Sequence, residues 1–235
     1  MSGSGETIRP GPERRFYVAA ALAALAIVFI GFARTYYLKA VFGTPQLPLL
    51  PHVHGVIMTS WFLLFVVQAW LVATRRVRIH RKLGVAGAVL AVLILVVGTM
   101  VAIRAAARDV ATQGRDSLYF LVIPLGDLVA FAGTVGAALW LRRRPQFHKR
   151  LMLVGSIAIL PAAVGRFPIE PNTPLLFFGI PDLLIVTAAA YDTWKHKRLH
   201  PAFLWGGLFV ILSHPLRMLF ARTDAWMSFA AWVTR

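Results

Sequence analysis

The sequence has no cysteine, which removes disulfides, thiolate metal sites, c-type haem attachment and cysteine nucleophiles together. Any metal would have to be held by histidine, carboxylate, methionine or backbone. Acidic residues are scarce too, nine against 25 lysines and arginines, and charged residues of both signs make up only 14% of the chain. With 58% hydrophobic residues and a mean hydropathy of +0.69, it lies outside the range of a soluble globular domain. Lysine is rarer still: Lys39, Lys82, Lys149, Lys195 and Lys197 are the full set, all in connections between apolar runs. No buried amine is left for a Schiff base, which argues against a retinal pigment.

What the chain does have is apolar runs of roughly 17 to 24 residues, about the length that crosses a ~30 Å hydrocarbon core. The fold class is all-α: a polytopic membrane bundle of seven transmembrane helices, expected near 16–33, 53–73, 83–103, 118–141, 151–167, 174–194 and 203–220. Pro161 and Pro181 interrupt the fifth and sixth. The first run is too long for a signal peptide and no small-x-small cleavage site follows, so it reads as a retained span. Three segments are expected: an N-terminal arm over 1–15, the transmembrane domain over 16–220, and an interfacial tail over 221–235 carrying Trp226 and Trp232.

Sixteen of the 25 lysines and arginines fall in the arm and in the connections 2-3, 4-5 and 6-7. The excess of basic residues on one side predicts a cytoplasmic N-terminus and a periplasmic C-terminus. Topology thus accounts for the net charge of +16, and nucleic acid is not an expected partner. The lipid bilayer is.

The same three connections resemble one another. RRVRIHRKLGVAG, RRRPQFHKRLMLVG and KHKRLHPAFLWGG each place a glycine seven residues after a histidine: His80 and Gly87, His148 and Gly155, His200 and Gly207. This points to three helix-pair repeats behind a leading helix. His80, His148 and His200 are expected in the headgroup zone, contacting lipid phosphate or the open N–H groups of a first helical turn. The rival role is bis-histidine ligation of haem b, which needs two imidazoles at one depth.

In the predicted threading, a second group of polar residues reaches the opposite leaflet: His52, His54, Asp127, Arg166, Asp182, His214 and Arg217. Ionisable groups within spans cost about 2.5–3.5 kcal/mol each on insertion scales, so they face the bundle interior and pair or mark a functional path. The expected metal ligands are His52, His54, His214 and Asp182, for zinc or copper; Asp127, Arg166 and Arg217 are the expected ligand-binding residues. In the plainer alternative, Asp182 pairs with Arg166 or Arg217 to fix packing. Residues i and i+2 diverge by about 200° on a helix, so joint chelation by His52 and His54 requires the second helix to start after His54. Pro51 is at home in a first turn and pulls the other way.

HVHGVIMTSW, HRKLG, PLGDL and HKRLM together resemble a family of uncharacterised bacterial multi-pass membrane proteins over nearly the whole chain. The resemblance implies a bacterial inner-membrane location and brings no chemistry with it. HKRLM alone is similar to a tract in small membrane proteins of cytochrome oxidase assembly. Seven spans with an inside N-terminus also match the direction of membrane hydrolases related to adiponectin receptors and alkaline ceramidases, but their Ser-x3-His and His-x3-His patterns are absent. Three functions follow: a pocket binding a metal ion or an anionic or lipidic small molecule, redox or hydrolytic if it is an enzyme; a haem-binding electron carrier; or an accessory subunit of a larger respiratory or photosynthetic complex. In an enzyme, histidine would serve as metal ligand or base, aspartate as ligand or proton acceptor, and arginine as anion clamp.

Overall fold

The computed structural model describes residues 11–169 and 173–235. Among them every regular element is helical, and seven spans are long and apolar enough to cross a membrane. The chain is an all-α multi-pass membrane bundle. The first span is α1 (Pro12–Phe32), which runs on into a π-helical turn at Ala33–Tyr37. The second and third are α2 (Leu49–Ala73) and α3 (Val77–Gln113). The fourth is α4 (Arg115–Phe120) continued by α5 (Val122–Trp140); Pro124 has no N–H to offer the Phe120 carbonyl, so the helix breaks between them. The fifth is α6 (Pro145–Ala158) with α7 (Pro161–Val164), broken just ahead of Pro161. α8 (Pro174–His196) and α9 (Pro201–Phe220) complete the seven, and α10 (Asp224–Val233) closes the chain.

Several boundaries differ from the hydropathy reading, each for a physical reason. Residues 1–10 of the expected arm lie outside the described residues, while Glu13, Arg14 and Arg15 already belong to α1. α3 has 37 residues, about 55 Å at 1.5 Å per residue, so it projects beyond a ~30 Å core. Its extension is rich in alanine and arginine, good helix formers, and it ends only at Gly114, whose φ of 59° and ψ of −136° suit glycine alone. Pro181 does not interrupt the sixth span: α8 continues through it, leaving the Phe177 carbonyl without its helical donor. Trp226 of α10 is buried and donates from Nε1 to the Leu118 carbonyl of α4 at 2.9 Å, whereas Trp232 is exposed.

The fifth span sits at the centre. In its most apolar window 72% of residues are buried, against 22% for the first and third spans. Small residues let neighbours approach closely here, as expected where packing rather than water drives association. Gly31 of α1 lies against the Ala163 backbone; a Cβ on Gly155 would come within 2.7 Å of Thr134 and Val135 on α5, and one on Gly206 within 2.9 Å of Leu151. Around this span Phe62, Ile94, Phe131, Leu153, Val154 and Leu160 form the core, with Trp61 edge-on to Phe131 at 5.0 Å.

The glycines of the repeated connections have a shared task. A Cβ on Gly87 would meet Leu64, one on Gly155 Val135 and one on Gly207 Ile185, at 3.5, 2.7 and 3.1 Å. Each glycine thus faces the preceding helix of its own pair, α2 with α3, α5 with α6, α8 with α9. The connections also gather at one end of the bundle: Arg14 reaches the Ala73 carbonyl at 3.5 Å, His80 faces His148, and Phe147 faces His200. This is the basic end.

Candidate functional site

Two ionisable clusters occupy opposite ends of the bundle. At the end away from the basic loops, the PLGDL segment forms a receptacle for Arg217 of α9. Gly126 leaves the space, since a Cβ there would lie 2.7 Å from Arg217 Nε. Arg217 Nη1 donates to Asp127 Oδ1 at 2.5 Å and to the Ile123 carbonyl at 3.2 Å. Its Nε donates to the Ser213 carbonyl and its Nη2 to Ser213 Oγ, at 3.2 and 2.6 Å. Asp127 and Arg217 are both buried. They form a buried ion pair, with one Nη2 proton of Arg217 left uncommitted by these bonds.

One turn from Arg217, His214 places Nδ1 at 3.1 and 3.2 Å from the two carboxylate oxygens of Asp182. The Phe178 ring stacks on the imidazole at 4.2 Å and 14° and also lies 5.4 Å beneath the Arg217 guanidinium. A carboxylate at Nδ1 accepts the proton there, so Nε2 is left with a lone pair. That Nε2 is buried and has no partner among the described residues. The Asp182–arginine pairing offered as the plainer alternative is not formed among the described residues. Arg217 takes Asp127, and Arg166 donates from Nη1 to the Ala162 carbonyl at 2.5 Å with its guanidinium 4.6 Å over Phe32.

The two histidines of PHVHG separate. α2 starts at Leu49, so both imidazoles are helical and point to different sides. His52 is exposed, 5.6 Å from the Tyr36 ring, and its carbonyl accepts from Tyr36 Oη at 3.3 Å. Gly55 admits that ring; a Cβ would come 2.5 Å from it. His54 instead points inward, with Cε1 beside Gly98 of α3 and Nδ1 buried without a partner among the described residues. The expected metal ligands His52, His54, His214 and Asp182 are therefore not drawn into one shell. Among the described residues, the group of three ligand atoms within 4.8 Å of one another is Glu13, Asp192 and His196.

That group belongs to the basic end, where the sequence reading placed loop cations and His80, His148 and His200. Arg150 and Asp192 form a buried ion pair: Nε donates to both carboxylate oxygens at 3.0 Å and Nη2 to Oδ1 at 2.6 Å. Gln146 accepts from Arg150 Nη1 with its carbonyl and its side-chain oxygen, at 2.8 and 2.6 Å. Beside this pair Glu13 accepts from Lys149, with Lys195 at 3.5 Å and His196 Nε2 at 3.6 Å. A cavity of about 490 Å³ opens here, lined by Gln146, Arg150, Asp192, His196, Arg198 and His200. A clue was available in the sequence: an aspartate four residues before a histidine, in the last turns of a span whose flanks are otherwise cationic, needs a buried partner.

The three repeat histidines have distinct contacts. Gln68, with its amide oriented to satisfy its neighbours, accepts from Gly84 N–H and donates to His80 Nδ1 at 2.6 Å. His80 then carries its proton on Nε2, the wrong tautomer for a metal through that atom. His148 Nδ1 contacts the Ala138 carbonyl at 2.9 Å. The two rings are 6.2 Å apart at centroid. His200 caps α9, its Nδ1 accepting from Ala202 N–H at 3.1 Å, and burial holds its imidazole below the ordinary value of 6.5.

Compared with known proteins, the chain matches no family model, no curated protein and no solved structure.

Proposed function

We propose that this chain is a bacterial inner-membrane protein that binds a lipid-soluble molecule in its periplasmic half, through His214. The supporting observation is the lone pair of His214 Nε2, buried and without a donor while Asp182 holds Nδ1. Leaving such an acceptor unsatisfied costs about 1–3 kcal/mol, and a ligand bearing an O–H or N–H group removes that cost. Asp182 would stabilise the imidazolium if the ligand's proton transfers, so the dyad suits binding or proton acceptance equally. Asp182 is partly exposed, although its Oδ1 is buried.

The metal reading rests on the same atom, since an imidazole held by a carboxylate behind it is a common metal-ligand arrangement. It needs further ligands recruited from elsewhere; the hydrogen-bond reading needs none. Protein purified in mild detergent separates the two. Solvent extraction and mass spectrometry should find a stoichiometric lipid-soluble compound in the wild type that is missing from His214→Phe. Equal extracts from both would sink the proposal, and stoichiometric zinc or copper lost only in His214→Phe would replace it with the metal reading.

A further inference from the structure

The cavity at the basic end carries more positive than negative charge. Arg150, Arg198 and Asp192 line it, and beside it Lys149 and Lys195 pair with Glu13. Both carboxylates are already taken, Asp192 by Arg150 and Glu13 by Lys149. A divalent cation on Glu13, Asp192 and His196 would have to displace those ammonium and guanidinium partners and then sit beside them. An anion meets the opposite situation. Arg198 lines the cavity with no hydrogen-bond or ion-pair partner among the described residues. Arg150 has one Nη2 proton uncommitted after its bonds to Asp192 and Gln146. His200 accepts at Nδ1 and so keeps its proton on Nε2.

The local backbone brings these donors together. Lys197 ends α8 in the left-handed region, with φ 58° and ψ 19°, which reverses the chain so that His196, Arg198 and His200 line one cavity. The depth is informative as well. Trp70, Trp140, Trp194 and Trp205 are exposed near the basic ends of α2, α5, α8 and α9, and exposed tryptophans of a membrane bundle mark the headgroup level.

We infer that the cavity between the start of α6, the end of α8 and the start of α9 is an anion site for a phosphoryl group, with Arg198, Arg150 and His200 as donors. A lipid headgroup and a free phosphate share that chemistry. Asp192 does not contact the anion; it holds Arg150 in place.

The test uses the full chain in dodecyl maltoside and phosphate-free chloride buffer. Purified wild type and Arg198→Gln are first assayed for phosphorus, so that a site already filled reads as one phosphorus per chain lost in the variant. Thermal unfolding is then followed during titration with inorganic phosphate, phosphatidylglycerol in mixed micelles, phosphatidylcholine and zinc chloride. The expected result is a saturable rise in Tm with a phosphoryl probe, its midpoint shifted about tenfold in Arg198→Gln, one charge-assisted hydrogen bond's worth. Arg198→Gln without ligand should melt close to the wild type, because Arg198 has no hydrogen-bond or ion-pair partner among the described residues. A response to phosphatidylglycerol alone identifies the source as a headgroup; a response to inorganic phosphate identifies free phosphate. The inference is overturned if there is neither bound phosphorus nor a saturable shift, if wild type and Arg198→Gln respond equally, or if zinc alone produces the shift.

Discussion

The two ends of the bundle handle buried charge in opposite ways. Away from the basic loops the charges are few and matched: Asp127 with Arg217 and Asp182 with His214. At the basic end Arg150 and Asp192 are matched just as closely, but the pair lies within a surplus of cations and beside a cavity. The difference teaches that burial of an ion pair does not by itself mark a site. What marks one is the atom left over: a bare lone pair on His214 at one end, and unpaired guanidinium on Arg198 at the other. The first calls for a hydrogen donor, the second for an anion.

The comparison can be broken by removing the arginine from each pair. Arg217→Ala leaves Asp127 buried with no other cation beside it, and stability measured by denaturant or thermal unfolding in detergent should fall by about 3–5 kcal/mol. Arg150→Ala leaves Asp192 with His196 3.7 Å away, so the loss should be smaller. Equal losses would mean that the surplus at the basic end does nothing for Asp192. Next in size, Gly126→Ala pushes a methyl into the Arg217 guanidinium and should cost about 1–3 kcal/mol. Gly136→Ala, with open space around its Cβ position, should leave stability unchanged or slightly raised.

His200 gives the pH dependence. Burial, reinforced by the Arg150 charge and opposed by Asp192, holds its imidazole below 6.5. The unfolded chain therefore binds more protons below that value, so stability is level above pH 6.5 and falls as pH drops beneath it. His200→Asn keeps a capping acceptor without the titration and should remove that fall in stability below pH 6.5. The smallest effect belongs to Lys197→Gly. Glycine adopts the left-handed conformation without strain, so the variant should gain a few tenths of a kcal/mol in unfolding measurements. A loss would show that the Lys197 contact with Trp194, 6.0 Å from ring centre to Nζ, outweighs the backbone strain.

The reading of PHVHG turned on a helix boundary. Hydropathy put the second span at 53, yet α2 begins at Leu49, since the Leu-Pro residues ahead of the histidines can form a first turn that Pro51 tolerates. Four residues decided that His52 and His54 part company. PLGDL shows the converse: Asp127 inside a span already called for a partner, and Arg217 supplies it, in a gap that Gly126 leaves and that only the structure reveals. Arg150 was hidden by its company. Among Arg142, Arg143, Arg144 and Lys149 it reads as one more loop cation, and only the turn of α6 sends it inward while its neighbours stay outside.

Composition and apolar run length alone determined the class of this protein, because a bilayer leaves a backbone few ways to satisfy its polar groups and helices of about 20 residues are one of them. The same sequence indicated that Asp127, His214 and Arg217 would be buried, since a charge inside a span demands a partner, but it grouped His52 and Arg166 with them, which are exposed, and passed over Arg150 and Asp192, which are buried. Which partner each one takes was decided by the tertiary structure. Asp127, Asp182 and Asp192 had several arginines and histidines within plausible depth, and the choice depended on helix rotation and glycine-sized gaps, to which hydropathy is blind.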